Sequence, residues 1–119
     1  MKVLALGLFA LGLGASAAMA AEPARMAGGV WVDSAGMTLY TYDKDSANKS
    51  DCYDKCATNW PPLKAGADAK AEGDWTVVDR TDGTKMWAWK GQPLYTFIGD
   101  KKAGDQTGEG KGGVWHVAK

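Results

Sequence analysis

A ten-residue phrase occurs twice in this chain: Gly36-Met37-Thr38-Leu39-Tyr40-Thr41-Tyr42-Asp43-Lys44-Asp45 returns as Gly91-Gln92-Pro93-Leu94-Tyr95-Thr96-Phe97-Ile98-Gly99-Asp100. Both copies read Gly-x-x-Leu-Tyr-Thr-aromatic-x-x-Asp. The offset is 55 throughout and persists to Trp60 and Trp115. The chain is an internal duplication, so its fold has to accommodate two related halves. The predicted repeats run from about 30 to 63 and from about 74 to 118. Lys64 to Gly73, with four alanines, two glycines and no large apolar residue, reads as their connector.

The segment before the repeats has a different character. Met1-Lys2 is followed by an apolar run from Val3 to Leu13 and by small residues ending in Ala18-Met19-Ala20. That pattern predicts a secretory signal peptide over 1–20 and a mature chain from Ala21. The apolar core is too short to span a bilayer, so no stable membrane insertion is expected after cleavage. Residues 21–28, with Pro23 and no periodicity, read as a flexible lead-in to a single domain over 29–119. Once Lys2 is removed with the leader, 13 Lys and Arg face 14 Asp and Glu, a net charge of −1. The basic residues are scattered, which excludes a polyanion surface and hence a nucleic-acid partner.

Local patterns predict a mainly β fold with one short helix. Val30-Trp31-Val32-Asp33 and Thr38 to Tyr42 are rich in β-branched and aromatic residues and are separated by Ser34-Ala35-Gly36, which suggests a hairpin. Trp75 to Thr81 and Thr84 to Lys90 flank Asp82-Gly83, a pair suited to the positive φ angles of a tight turn. Lys90-Gly91-Gln92 then leads into a strand from Pro93, and Val114 to Val117 reads as the closing strand. Between the two halves of β structure, Asp51 to Ala57 suggests a short helix capped by Ser50 or Asp51 and stopped at Trp60-Pro61-Pro62.

The duplicated residues Tyr40, Tyr42, Asp45, Tyr95, Phe97 and Asp100, with Cys56-Ala57-Thr58-Asn59-Trp60-Pro61-Pro62-Leu63 and Gly113-Val114-Trp115-His116, resemble a family of bacterial predicted lipoproteins described as a secreted repeat of unknown function. The resemblance extends from about Val30 to Val117. It carries no established activity, and no cysteine in or just after the leader is present to accept a lipid.

Cys52 and Cys56 are the only cysteines. In an oxidising compartment a disulfide is the first reading. On a helix the pair would share one face with Cα atoms about 6 Å apart. So short a loop contributes about 2 kcal/mol. A redox-active dithiol is the sharper alternative, but the spacing is one longer than Cys-x-x-Cys and Asp51 and Asp54 would raise a thiol pKa. His116, the only histidine, reads as a packing residue, with copper binding alongside Met26, Met37 or Met86 as the alternative. The acidic loops fail the calcium-loop spacing, so neither metal nor cofactor is expected. No nucleophile motif is present.

Trp87 and Trp89 share a strand face, as do Tyr40 with Tyr42 and Tyr95 with Phe97. Such rows serve as core in a domain short of aliphatics, or as an aromatic surface for a ligand. Asp45 and Asp100 are expected to end each strand by accepting turn N–H groups or a tyrosine hydroxyl. The sequence reads as an exported periplasmic or secreted protein with a non-enzymatic binding or envelope accessory role, its partner an envelope protein or small ligand. The alternative is an electron-transfer protein using Cys52/Cys56, a bound metal or surface Tyr and Trp.

Overall fold

The structure is a computed structural model and describes residues 23–119. The leader expected over 1–20 lies outside the described residues. The fold is mostly β, built from β1 (Arg25–Ala27), β2 (Val30–Val32), β3 (Tyr40–Tyr42), α1 (Lys55–Asn59), β4 (Trp75–Asp79), β5 (Lys85–Trp89), β6 (Gln92–Pro93) and β7 (Trp115–Val117). Among the described residues no helix is long and apolar enough to cross a membrane.

Order begins earlier than the composition of residues 21–28 suggests. Arg25–Ala27 pairs antiparallel with Val30–Val32, and the turn is made by Gly28 and Gly29, both at positive φ. Two consecutive positive φ angles match the twist of the strands they join. The hairpin expected between Val30–Asp33 and Thr38–Tyr42 is reduced to one bridge, Val32 with Thr38, because β3 takes a different partner. That partner is β7, in the register Tyr40 with Val117, Thr41 with His116 and Tyr42 with Trp115.

The second half follows the sequence pattern more closely. β4 and β5 pair from Trp75 with Trp89 to Asp79 with Lys85. Their turn takes Thr81, Asp82 and Gly83, closed by Arg80 N–H donating to Thr84 O at 2.8 Å. β5 turns directly into β6 through Lys90 and Gly91, at φ 51 and 83. Lys90 is one of few non-glycine residues here in the left-handed region, and the tight turn requires it.

The expected helix is shorter and later. It spans Lys55–Asn59, with Asp54 at its start in a positive φ of 55 and no side-chain cap. Ser50 to Tyr53 cannot join it because their polar groups are committed elsewhere: Asp51 N–H donates to Asp45 and the Cys52 carbonyl accepts from Arg80. Cys52 therefore precedes the helix and Cys56 lies within it.

The arrangement of the halves was not foreseeable from the duplication alone. Each repeat gives its last segment to the other. Leu39 O accepts from Ala118 N–H at 2.8 Å, and its counterpart Leu94 O accepts from Leu63 N–H at 2.9 Å. Asp43 N–H donates to Val114 O at 2.8 Å, and Ile98 N–H donates to Asn59 O at 2.9 Å. At the centre, Tyr40 and Tyr95 exchange backbone hydrogen bonds of 2.7 and 3.0 Å. The repeats are thus interlocked around a pseudo-twofold relation between the two tyrosines. Two apolar clusters result, one around Tyr40, Trp60, Met86, Tyr95 and Trp115, the other around Leu39, Trp75 and Leu94.

Candidate functional site

The duplicated tyrosines and aspartates meet across the repeats. Tyr40 Oη donates to Asp100 Oδ2 at 2.7 Å and Tyr95 Oη donates to Asp45 Oδ2 at 2.6 Å. Each hydroxyl therefore bonds the carboxylate of the other copy. Both tyrosines are fully buried, Asp100 is buried and Asp45 is partly exposed. Burial, reinforced by the hydrogen bond to a carboxylate, raises both phenol pKa values well beyond their ordinary range. Burial also raises the Asp45 carboxyl, against the hydrogen bonds from Tyr95 and Asp51 N–H.

Each carboxylate also fixes the loop that follows it. Asp45 Oδ1 accepts Asp51 N–H at 2.7 Å, and Asp100 Oδ1 accepts Thr107 N–H at 2.9 Å and Thr107 Oγ1 at 2.5 Å. Gly108 N–H returns a bond to Tyr40 Oη at 3.1 Å. A side chain at 108 would put its Cβ 2.6 Å from the Trp60 ring, so this approach needs glycine.

Four aromatic rings stack through the same region. Tyr42 lies on Trp115 at 4.2 Å, Trp115 on Trp60 at 3.8 Å and Trp60 on Phe97 at 4.2 Å. Tyr42 and Phe97 are counterparts by the offset of 55, as are the two tryptophans, so the stack obeys the pseudo-twofold. Tyr40 and Tyr95 stand edge-on to Trp60 and Trp115, each at 5.2 Å. Trp87 and Trp89, weighed as core or as an aromatic surface, are half-buried: Trp75 lies edge-on to Trp87 at 6.4 Å and Trp31 packs on Trp89 at 5.0 Å.

One end of the stack opens into a cleft of about 310 Å³. Tyr42, Asp43, Asp45 and Ser46 line it from the first repeat, Lys90 and Gln92 from the second. Its walls are tied together, since Asn48 N–H donates to Gly91 O at 2.7 Å and Thr76 Oγ1 donates to Asn48 Oδ1 at 2.6 Å. Beside the cleft, His116 Nε2 lies 2.9 Å from Asp43 Oδ2 and Nδ1 lies 3.6 Å from Glu109 Oε2. His116 therefore faces carboxylates and not the methionines considered for copper; Met86 is fully buried.

The hydrogen bond to Asp43 is the main cause that raises the His116 pKa. A raised imidazole pKa favours the folded state fully below the unfolded value, about 6.5, and that contribution is lost as pH rises through the folded value. An NMR titration of His116 is expected to give a midpoint above the ordinary one. Asp43→Asn should bring it down, and an unchanged midpoint would remove Asp43 as the cause.

Cys52 and Cys56 form a disulfide with Cα atoms 5.2 Å apart. Next to it lies Arg80, which sequence reasoning did not single out. Its side chain is buried; Nη2 donates to Cys52 O at 2.7 Å, Nη1 to Ser50 Oγ at 2.9 Å, and the guanidinium packs on the Tyr53 ring at 4.2 Å. Ser50 Oγ lies 2.5 Å from Tyr95 Oη. Because Tyr95 gives its proton to Asp45, Ser50 donates to Tyr95, and donation runs in order from Arg80 through Ser50 and Tyr95 to Asp45. The signal for Arg80 was period two: β4 buries Val78, and Arg80 is two residues on.

No three His, Cys, Asp or Glu side chains converge among the described residues in a way that would hold a metal ion. No curated protein and no solved structure matches the chain. The duplication, the crossed tyrosine–aspartate pairs and the paired tryptophans coincide with a family model described as a secreted repeat of unknown function, which matches residues 24–64 and 76–119, and the chain belongs to that family.

Proposed function

We propose that this chain is an exported, non-enzymatic binding protein of the bacterial envelope, periplasmic or secreted, with a leader over 1–20 and a mature tandem-repeat domain. Its ligand is a small hydroxyl-rich molecule of the saccharide class, held in the cleft beside Tyr42. The observation that carries this reading is the composition of the cleft, in which the Tyr42 ring stands beside Asp43 and Asp45, with Lys90 and Gln92 on the wall contributed by the second repeat. Aspartates 43 and 45 accept hydroxyl hydrogen bonds, Lys90 and Gln92 donate them, and Tyr42 offers a surface for the C–H face of a sugar ring. The stack behind Tyr42 and the bonds of Asn48 hold these groups in place before a ligand arrives, which lowers the ordering cost of binding.

The test is saturation-transfer NMR of the purified protein with soluble oligosaccharides of glucose, galactose and N-acetylglucosamine, followed by calorimetry on those that bind. Binding by at least one of them, weakened about tenfold or more (about 1.4 kcal/mol) by Lys90→Glu and by Tyr42→Ala in folded protein, supports the proposal. Absence of binding across the panel, or binding indifferent to both substitutions, overturns it.

A further inference from the structure

Arg80 is a buried cation that no carboxylate directly hydrogen-bonds. Its side chain is 1 % exposed, Nη1 and Nη2 are used on Ser50 Oγ, Met86 Sδ and Cys52 O, and Nε has no acceptor. The nearest carboxylate is that of Asp82, half-exposed and 3.7 Å from Nε. Asp45 is reached only through two hydroxyls. Removing a guanidinium from water against a single half-exposed partner, Asp82 at 3.7 Å, is costly, and a packing role alone would be met by an apolar side chain of that length. What this position gains from a charge is a counterion for a negative group that forms beside it.

The disulfide is the group beside it that can become negative. Its two sulfurs are unequal: Cys52 is fully buried and its carbonyl is bonded to Arg80, whereas Cys56 is partly exposed on α1. Exchange runs fastest when the attacked sulfur is accessible and the leaving thiol has a low pKa. Here accessibility falls to Cys56, and Cys52, whose carbonyl holds the Arg80 guanidinium, is the sulfur left to depart. The other charged neighbours in sequence, Asp51, Asp54 and Lys55, are exposed and solvent-screened.

We propose that Cys52–Cys56 is a thiol–disulfide exchange centre in which Cys56 is the attacked sulfur, Cys52 the leaving thiolate and Arg80 its positioning counterion. The reductant is a thiol, supplied by a dithiol protein or by a small thiol such as glutathione. Its thiolate attacks Cys56 Sγ, a new S–S bond forms there, the Cys56–Cys52 bond breaks, and the electron pair leaves on Cys52 as a thiolate. A second thiolate then attacks the reductant's sulfur in the mixed disulfide and expels Cys56 as a thiolate, which takes a proton from water. Two electrons pass to the protein, which becomes the dithiol, and the reductant becomes a disulfide. The reverse sequence reduces a disulfide substrate and restores the Cys52–Cys56 bond. This activity is independent of the Tyr42 cleft and does not need it.

The experiment treats the purified protein with limiting glutathione, quenches with acid and maps the mixed disulfide by peptide mass. Glutathione is expected on Cys56. After full reduction, alkylation of Cys52 by iodoacetamide should follow a thiolate pKa about one unit or more below the ordinary thiol value of about 8.5. Arg80→Met should bring that pKa back to the ordinary value or above and slow exchange about tenfold, while Arg80→Lys should retain part of the effect. The wild-type map and pH profile stand alone if Arg80→Met does not fold. Glutathione on Cys52 or equally on both sulfurs, an unshifted Cys52 profile, or an exchange rate unchanged in folded Arg80→Met would each overturn the proposal.

Discussion

Replacing Trp115 with alanine is expected to lower the unfolding free energy by about 3–5 kcal/mol, and replacing Trp60 should cost as much. Both indoles are nearly buried, at 5 % and 6 % exposure, and they face each other at 3.8 Å in the middle of the stack. Each also receives the edge of a buried tyrosine, so truncation removes contacts on both faces and one rim. The surrounding strands cannot collapse into the space, because Trp60 and Trp115 lie at the segments that the repeats exchange. A small domain holds only about 5–15 kcal/mol in total, so either variant loses a large fraction of it. Denaturant unfolding followed by circular dichroism measures the loss. The double variant should cost less than the two singles together, since the first truncation already deprives the second ring of its partner. Trp89→Ala, at a half-exposed ring, is the control and should cost distinctly less. Equal effects at Trp89 and Trp115 would show that the stack has no special standing.

The tryptophan pair also illustrates what the sequence reveals. An offset that persists from Gly36/Gly91 to Trp60/Trp115 announces the duplication, and the turn residues Asp82-Gly83 and Lys90-Gly91 announce the two hairpins joining β4, β5 and β6. What the pattern leaves open is pairing. Period-two alternation assigns a residue to a face but does not say which strand lies beside it, and two homologous copies offer the same hydrophobic edge to a segment from either copy. Hence the Val30–Tyr42 region reads as a simple hairpin although β3 pairs with β7, and Asp45, expected to accept a turn N–H or a tyrosine hydroxyl, takes the hydroxyl of Tyr95 from the other repeat.

The disulfide segment was opaque for a different reason. Asp51 to Ala57 has acceptable helix propensity, but propensity is a weak prior. The Asp51 N–H donates to Asp45 and the Cys52 carbonyl accepts from Arg80, and these bonds claim the backbone of residues 51 and 52 and delay the helix to Lys55. Arg80 itself reads only as part of the strand from Trp75 to Thr81. Following the Val78 face two residues further would have turned it inward, toward the loop that carries the cysteines.

The crossing of tyrosines and aspartates makes the second large prediction. Asp100→Ala is expected to destabilise the protein by about 3 kcal/mol, because one buried carboxylate satisfies Tyr40 Oη, Thr107 N–H and Thr107 Oγ1, and water has little access to replace it. Asp45→Ala should cost less, about 1–2 kcal/mol, because Asp45 is partly exposed and its ionised form is already disfavoured by burial. The decisive measurement is a pair of double-mutant cycles. Tyr40→Phe combined with Asp100→Ala should be non-additive by about 1 kcal/mol or more, whereas Tyr40→Phe combined with Asp45→Ala, which no hydrogen bond connects, should be additive within about 0.5 kcal/mol. The same pairs predict a pH response with a definite sign. Both phenols have raised pKa values in the fold, so their contribution is complete below the unfolded value of about 10 and is lost as pH rises through the folded values. Tyr40→Phe and Tyr95→Phe together should flatten that alkaline loss. Coupling of Tyr40 to Asp45 in place of Asp100 would mean that each repeat satisfies itself, and the interlocked arrangement would have to be abandoned.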